Sequence, residues 1–230
     1  LLFNPPLLEL LVLAVFFSYF SLKASHASGL LDNPDQRKLH DGLIPLAGGP
    51  AIFLTFATAA LLFDMPTATT GLILYSTVFA VGLFDDHSNA SAILRLIIHL
   101  VCGALMAVLC GIVITNVGNL LGFGNIPLLM FAVPLTALAF AGLTNAYNMI
   151  DGVDGLASGL ALVPLAIVVT LIIQHQSMMP MPLIALVIAL LVFMLFNLGP
   201  NTKLLSKMFL GDSGSSLLGF IICAVLIYQS

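Results

Sequence analysis

The chain has 230 residues, 60% of them hydrophobic and only 7% charged, with a mean hydropathy of +1.17. Soluble domains carry about 25% charge, so 6 basic and 10 acidic residues cannot cover a soluble surface of this size, and the chain reads as an integral membrane protein. A net charge of −4 and a pI near 5.5 exclude the basic patch of a nucleic-acid binder, and Cys102, Cys110 and Cys223 lie in apolar runs without the spacing of a disulfide frame or zinc site.

A membrane-crossing helix needs about 20 mostly apolar residues. Eight stretches qualify or nearly do, at about 5–22, 44–63, 71–84, 92–115, 126–146, 156–173, 181–199 and 214–229. The third is short and is expected to extend toward Asp85 or back toward Met65. No basic region precedes the first, which argues against a cleavable signal peptide. The expected fold is therefore an all-α polytopic bundle of about eight spans forming one domain over 1–230. The chain opens on Leu1 and stops inside an apolar run at Ser230, so it is expected to be incomplete at its C-terminus.

The loops between these spans differ in charge. Lys23, Arg37, Lys38, Lys203 and Lys207 lie in the odd-numbered loops, and Arg95 sits just inside the fourth span beside the second of them. The even-numbered loops hold no Lys or Arg. The positive-inside rule then puts the odd loops in the cytoplasm and the N-terminus outside. Eight of the ten acids, among them Asp85, Asp86, Asp151, Asp154 and Asp212, share that cytoplasmic side.

Four segments on that side have chemistry to offer. In chain order, Asp32–His40 brings Arg37, Lys38 and His40 next to Gly48-Gly49, either to grip phosphate or simply to anchor the loop. Asp85-Asp86 ends the third span; adjacent carboxylates there suit Mg²⁺, or form a solvated turn. His87 reads as a loop residue, and His99, one turn past Arg95, as a packed histidine. Asn145, Asn148, Asp151 and Asp154 recur at three-residue spacing, which on a helix makes one polar stripe, the alternative being turn punctuation. Gly211-Asp212-Ser213-Gly214 opens the last span, as an anion-binding nest completed by a divalent ion or with Asp212 as N-cap. Taken together they supply carboxylates, amides, bases and a helix N-terminus, which is what a metal-bridged diphosphate at a membrane surface requires. No Gly-x-x-x-x-Gly-Lys-Ser/Thr loop, His-Glu-x-x-His or Gly-x-Ser-x-Gly motif is present.

The order Pro34, Arg37-Lys38, His40, Ile44-Pro45, Gly48-Gly49, then Asp85-Asp86, Asn145-x-x-Asn148-x-x-Asp151-Gly-x-Asp154-Gly, then Gly211-Asp212-Ser213-Gly214-Ser215 resembles the polyprenyl-phosphate N-acetylhexosamine-1-phosphate transferases, glycosyltransferase family 4. Within that superfamily it is most similar to the bacterial undecaprenyl-phosphate GlcNAc-1-phosphate transferase branch, over about residues 30–220. The resemblance implies transfer of an N-acetylhexosamine-1-phosphate from a UDP-sugar to undecaprenyl phosphate at the cytoplasmic face of a bacterial inner membrane. It implies Mg²⁺, with Mn²⁺ as substitute, held by Asp212 with Asn148 a further candidate. It implies that Asp85 and Asp86 lie by the lipid phosphate, that Asp151 and Asp154 serve the nucleotide diphosphate, and that Arg37 and Lys38 offset phosphate charge. His40, Asn145 and Asn148 are the remaining expected substrate contacts. Members of the family also carry a later His-x-His-His-like loop, which none of the five histidines here matches. A secondary transporter is the main alternative; it calls for ionisable sites near the bilayer midplane, whereas these acids gather at span ends.

Overall fold

The computed structural model describes residues 5–32, 42–63, 68–119, 122, 124–176, 179–202 and 205–229. Among them are eight α-helices: α1 (Pro5–Ser28), α2 (Gly48–Leu62), α3 (Ala68–Ser88), α4 (Ala92–Leu109), α5 (Ala132–Ile150), α6 (Leu156–Gln176), α7 (Met181–Leu198) and α8 (Gly211–Tyr228). Six of the helical stretches are long and apolar enough to cross a membrane, those of α1 and α4–α8, so the chain is a multi-pass all-α bundle. Of the other two expected spans, α2 is apolar but only 15 residues long, and α3 is a 21-residue helix that ends in Asp85-Asp86-His87-Ser88.

The helix ends differ from the expected ones where polar chemistry intervenes. The fourth span was expected to reach 115, but α4 stops at Leu109 because Gly111 takes a φ of +69°, a conformation that costs glycine little. The next residues are extended, with Thr115 and Asn116 pairing back onto 127–128. In the other direction, α3 runs through Asp85 and Asp86 to Ser88, so both acids stand on helix. A two-residue antiparallel ladder, β1 (Leu31–Asp32) with β2 (Ile44–Pro45), lies on either side of 33–41. Arg37, Lys38 and His40 fall outside the described residues.

Lipid tails are as apolar as leucine, so the bundle cannot rely on hydrophobic exclusion between helices and depends on close packing. The helix at its centre is α8, with 72% of its residues buried, and it packs against α2, α3, α5 and α6. A run of rings ties four helices together: Phe56 (α2) meets Tyr75 (α3) edge-on at 5.6 Å, Tyr75 meets Phe220 (α8) at 5.9 Å, and Phe220 meets Phe140 (α5) at 4.5 Å. Glycines set the closest approaches. A Cβ on Gly219 would lie 2.8 Å from the Leu143 carbonyl oxygen, and one on Gly103 would lie 2.7 Å from Phe140 Cβ.

Candidate active site

The site begins with backbone. The Phe209 N–H donates to the Pro45 carbonyl, and the Gly48 and Gly49 N–H groups donate to the carbonyls of Phe209 and Leu210, each at 2.9 Å. This ladder fixes the start of α8 against the start of α2. No side chain fits between them: a Cβ on Gly49 would stand 2.5 Å from the Gly214 nitrogen. The end of α3 arrives from the third side, where a Cβ on Gly82 would stand 2.5 Å from Ser213 Cα. Three helix ends thus meet at backbone contact.

That contact delivers Asp86 to the tip of α8. Its Oδ1 accepts the Asp212 N–H at 2.7 Å and its Oδ2 the Ser213 N–H at 3.0 Å. The first N–H groups of a helix lack internal partners and carry partial positive charge, so a carboxylate from α3 fills the place an N-cap side chain would otherwise take. The residue in the N-cap position, Leu210, supplies no side-chain bond. Gly211 makes room with a φ of +75°, and a Cβ there would press within 2.8 Å of Asp86 Oδ2. Of the two sequence readings for this segment, the N-cap is filled by Asp86 and not by Asp212, and two nest N–H groups are already occupied.

Asp212 turns its carboxylate elsewhere. Its Oδ1 accepts from Asn148 Nδ2 on α5 at 2.5 Å, and its Oδ2 lies 3.5 Å from Arg95 Nη1 on α4. The same Nη1 pairs with Asp85 Oδ2 on α3, and Asn148 Nδ2 also lies 3.3 Å from Ser215 Oγ. Asp85, Asp86, Asn148 and Asp212 therefore come together from three helices.

The Asn/Asp stripe does not continue as one helix. α5 ends at Ile150, Asp151 is its cap with ψ of 47°, and the chain turns through Gly155 at φ +73° before α6. A continuous helix would carry the acids away along its axis; the turn instead leaves Asp151 beside the cluster. Among the described residues no donor reaches its carboxylate. Burial first, then the charges of Asp212, Asp86 and Asp154, push its pKa up to about 8. Asp154 is held apart: Oδ2 pairs with Lys207 Nζ at 2.5 Å, and Oδ1 accepts from Asn197 Nδ2 on α7 at 3.3 Å. Asn145 donates to the Ala141 carbonyl of its own helix at 2.8 Å and, among the described residues, makes no side-chain bond to the acids.

The carboxylates are hard oxygen donors crowded near one another, a set suited to Mg²⁺. Among the described residues no three His, Cys, Asp or Glu converge closely enough to hold a metal ion alone. Mg²⁺ commonly takes one or two carboxylates and leaves its other positions to waters and substrate phosphates, so Asp212 together with the unpartnered Asp151 fits it.

The profile of glycosyl transferase family 4 matches residues 68–230, which takes in α3 to α8 and every acid of the cluster. The chain belongs to that family. It is 31% identical over 224 residues to the undecaprenyl-phosphate alpha-N-acetylglucosaminyl 1-phosphate transferase of Escherichia coli (strain K12), and 30% identical over 229 residues to that of Yersinia pestis. Each alignment covers 96% of this chain and 61% of the relative, so the chain spans about three-fifths of their length.

Three residues of this family 4 chain's polar clusters were absent from the sequence-derived site. In the sequence Arg95 carries a topological signal, but a lone arginine inside an apolar helix is costly and marks a functional position by default. Lys207 has only the signal of a loop charge. Asn197, buried near the end of α7, also donates to the Met208 carbonyl at 3.0 Å, and its position in an otherwise apolar span was the signal available.

Proposed function

We propose that the protein transfers N-acetylglucosamine-1-phosphate from UDP-GlcNAc to undecaprenyl phosphate, releasing UMP, at the cytoplasmic face of a bacterial membrane. The observation that carries this reading is the convergence of Asp85, Asp86, Asp151 and Asp212 at one end of a membrane bundle, in a family 4 chain whose relatives bear that activity in their names. The helix ends that meet there lie on the side to which the chain order assigns Arg37, Lys38, Arg95, Lys203 and Lys207, which supports the cytoplasmic side and an outward N-terminus.

A phosphate monoester has a second pKa of about 6, so the lipid phosphate enters largely as a dianion and needs little help from a base. Its oxygen attacks the sugar-bearing β-phosphorus. A new P–O bond forms, the bond from that phosphorus to the bridging oxygen breaks, and UMP leaves with the oxygen and its charge. Acceleration then comes from positioning and charge neutralisation. Asp212 and Asp151 would hold Mg²⁺, or Mn²⁺ in its place, which when bound offsets the diphosphate charge. Asn148 keeps Asp212 in place. Asp154, paired with Lys207, would serve the nucleotide diphosphate, and Arg37, Lys38, His40 and Asn145 complete the proposed substrate contacts.

Both oxygens of Asp86 are engaged by α8 and Asp85 is paired with Arg95, which favours direct transfer over a phospho-aspartate. The test is UMP release from membranes holding the protein, with and without undecaprenyl phosphate and Mg²⁺, across UDP-GlcNAc, UDP-GalNAc and UDP-MurNAc-pentapeptide. Release with UDP-GlcNAc that needs both lipid and metal is expected. Release without lipid, or none at all, refutes the reading, and a hydroxylamine-sensitive phosphoenzyme refutes the direct route.

A further inference from the structure

Arg95 stands between two acids that do not share a helix. Its Nη1 pairs with Asp85 at the end of α3 and lies 3.5 Å from Asp212 Oδ2 at the start of α8. Its own helix, α4, contributes no acid. Arg95 stands in the first turn of α4, which Ser91 opens as N-cap by accepting the Leu94 N–H at 3.2 Å. A carboxylate pair this close raises the energy of both ionised forms unless a positive charge stands between them. The two oxygens of Asp212 are also divided between partners, Oδ1 to Asn148 on α5 and Oδ2 to Arg95 on α4. A carboxylate gripped at both oxygens from two helices cannot rotate freely.

We infer that Arg95 is a positioning residue of the transferase site, an internal counter-ion that holds Asp85 and Asp212 side by side and fixes the plane of Asp212 before substrate arrives. This rests on the proposed transferase reading. Arg95 neither donates nor accepts the transferred group; it acts through the two acids. Both contacts run through Nη1, while Nε is buried without a partner among the described residues. The site therefore uses arginine as a point of charge and not as a two-pronged fork, and lysine should replace it in part.

The test compares the purified wild-type protein with Arg95→Gln, Arg95→Lys and the pair Arg95→Gln with Asp85→Asn. Two measurements are made: UMP release with undecaprenyl phosphate and Mg²⁺, and thermal unfolding in detergent without substrate or metal. Removing a preorganised charge at a reacting centre costs about 100-fold in kcat. Arg95→Gln is expected to show that loss with KM for UDP-GlcNAc within about threefold of wild type, and Arg95→Lys to recover to within about tenfold. Asp85→Asn should restore the unfolding temperature lost in Arg95→Gln, because it removes the repulsion that the arginine had balanced. An Arg95→Gln enzyme with wild-type kcat overturns the inference. So does a stability loss that Asp85→Asn leaves untouched, which would make Arg95 a packing residue. If the wild-type protein releases no UMP from any donor, the transferase reading fails, and the unfolding comparison still decides whether Arg95 is the counter-ion of the two acids.

Discussion

Replacing Asp86 separates a scaffold role from a chemical one. In Asp86→Ala the Asp212 and Ser213 N–H groups lose their acceptors at 2.7 and 3.0 Å. Loss of a helix cap costs about 0.5–2 kcal/mol, and loss of a negative charge at a helix N-terminus about 0.3–1 kcal/mol, up to about 2 when partly buried. Relief of repulsion toward Asp151 and Asp212 offsets part of this, leaving an expected destabilisation of about 1–2 kcal/mol. Asp86→Asn keeps one acceptor oxygen and should cost about half as much. Cys102 and Cys223 are free and buried, so a thiol-reactive fluorophore added during heating in detergent reports unfolding directly. The expected order of stability is wild type, then Asp86→Asn, then Asp86→Ala, with activity declining in the same order. An Asp86→Ala protein that unfolds with the wild type yet releases no UMP would refute the capping argument and put Asp86 among the reacting groups.

Further expectations follow from the same geometry. Gly82→Ala drives a Cβ to 2.5 Å from Ser213 Cα, backbone that cannot yield cheaply, and should cost about 2 kcal/mol or more; Gly142→Ala, where nothing lies within 4 Å, should be neutral or stabilise by up to about 1 kcal/mol, both read by the thiol assay. The Lys207–Asp154 pair is part-exposed, 27% and 39%, so a double-mutant cycle should give a coupling of at most about 1 kcal/mol. In metal-free buffer Asp151 binds its proton more tightly in the folded protein, with a pKa of about 8 against an ordinary 3.8. Stability should therefore fall as pH rises through that interval and level off above it. Unfolding midpoints of Asp151→Asn between pH 5 and 8 should show a flatter profile, and an unchanged slope would refute the assignment.

Run length and apolar content were enough to read the helices, because a span must satisfy its backbone internally and so must be long and continuous. Their ends were less legible. The 92–115 run is largely apolar, and the break comes at Gly111, whose positive φ the run itself does not announce. The Asn/Asp spacing matches a helix at every step, yet Gly155, at φ +73°, allows the turn that leaves Asp151 at the cluster. The acids were legible as candidates by their shared side. Their partners were not: Asp86 reaches α8 across 126 positions and Arg95 reaches Asp212 across 117, pairings that no local pattern encodes. The glycines made the difference in packing, since Gly49, Gly82 and Gly214 carry no local signal that they will meet.

The central place of α8 has a consequence for how the protein is made. Ribosomes deliver helices in order, so α2, α3, α5 and α6 are synthesised before the helix that all four pack against. Until α8 arrives, Asp86 has no N–H groups to accept from, and the glycine faces of α2 and α3 have no backbone to meet. Asp85 can pair with Arg95 as soon as α4 is in place, before α8 arrives. Insertion of α8 then brings the cap, the Asp212 carboxylate and the glycine seam together in one event. The polar cluster is thus assembled only once α8 is in the membrane.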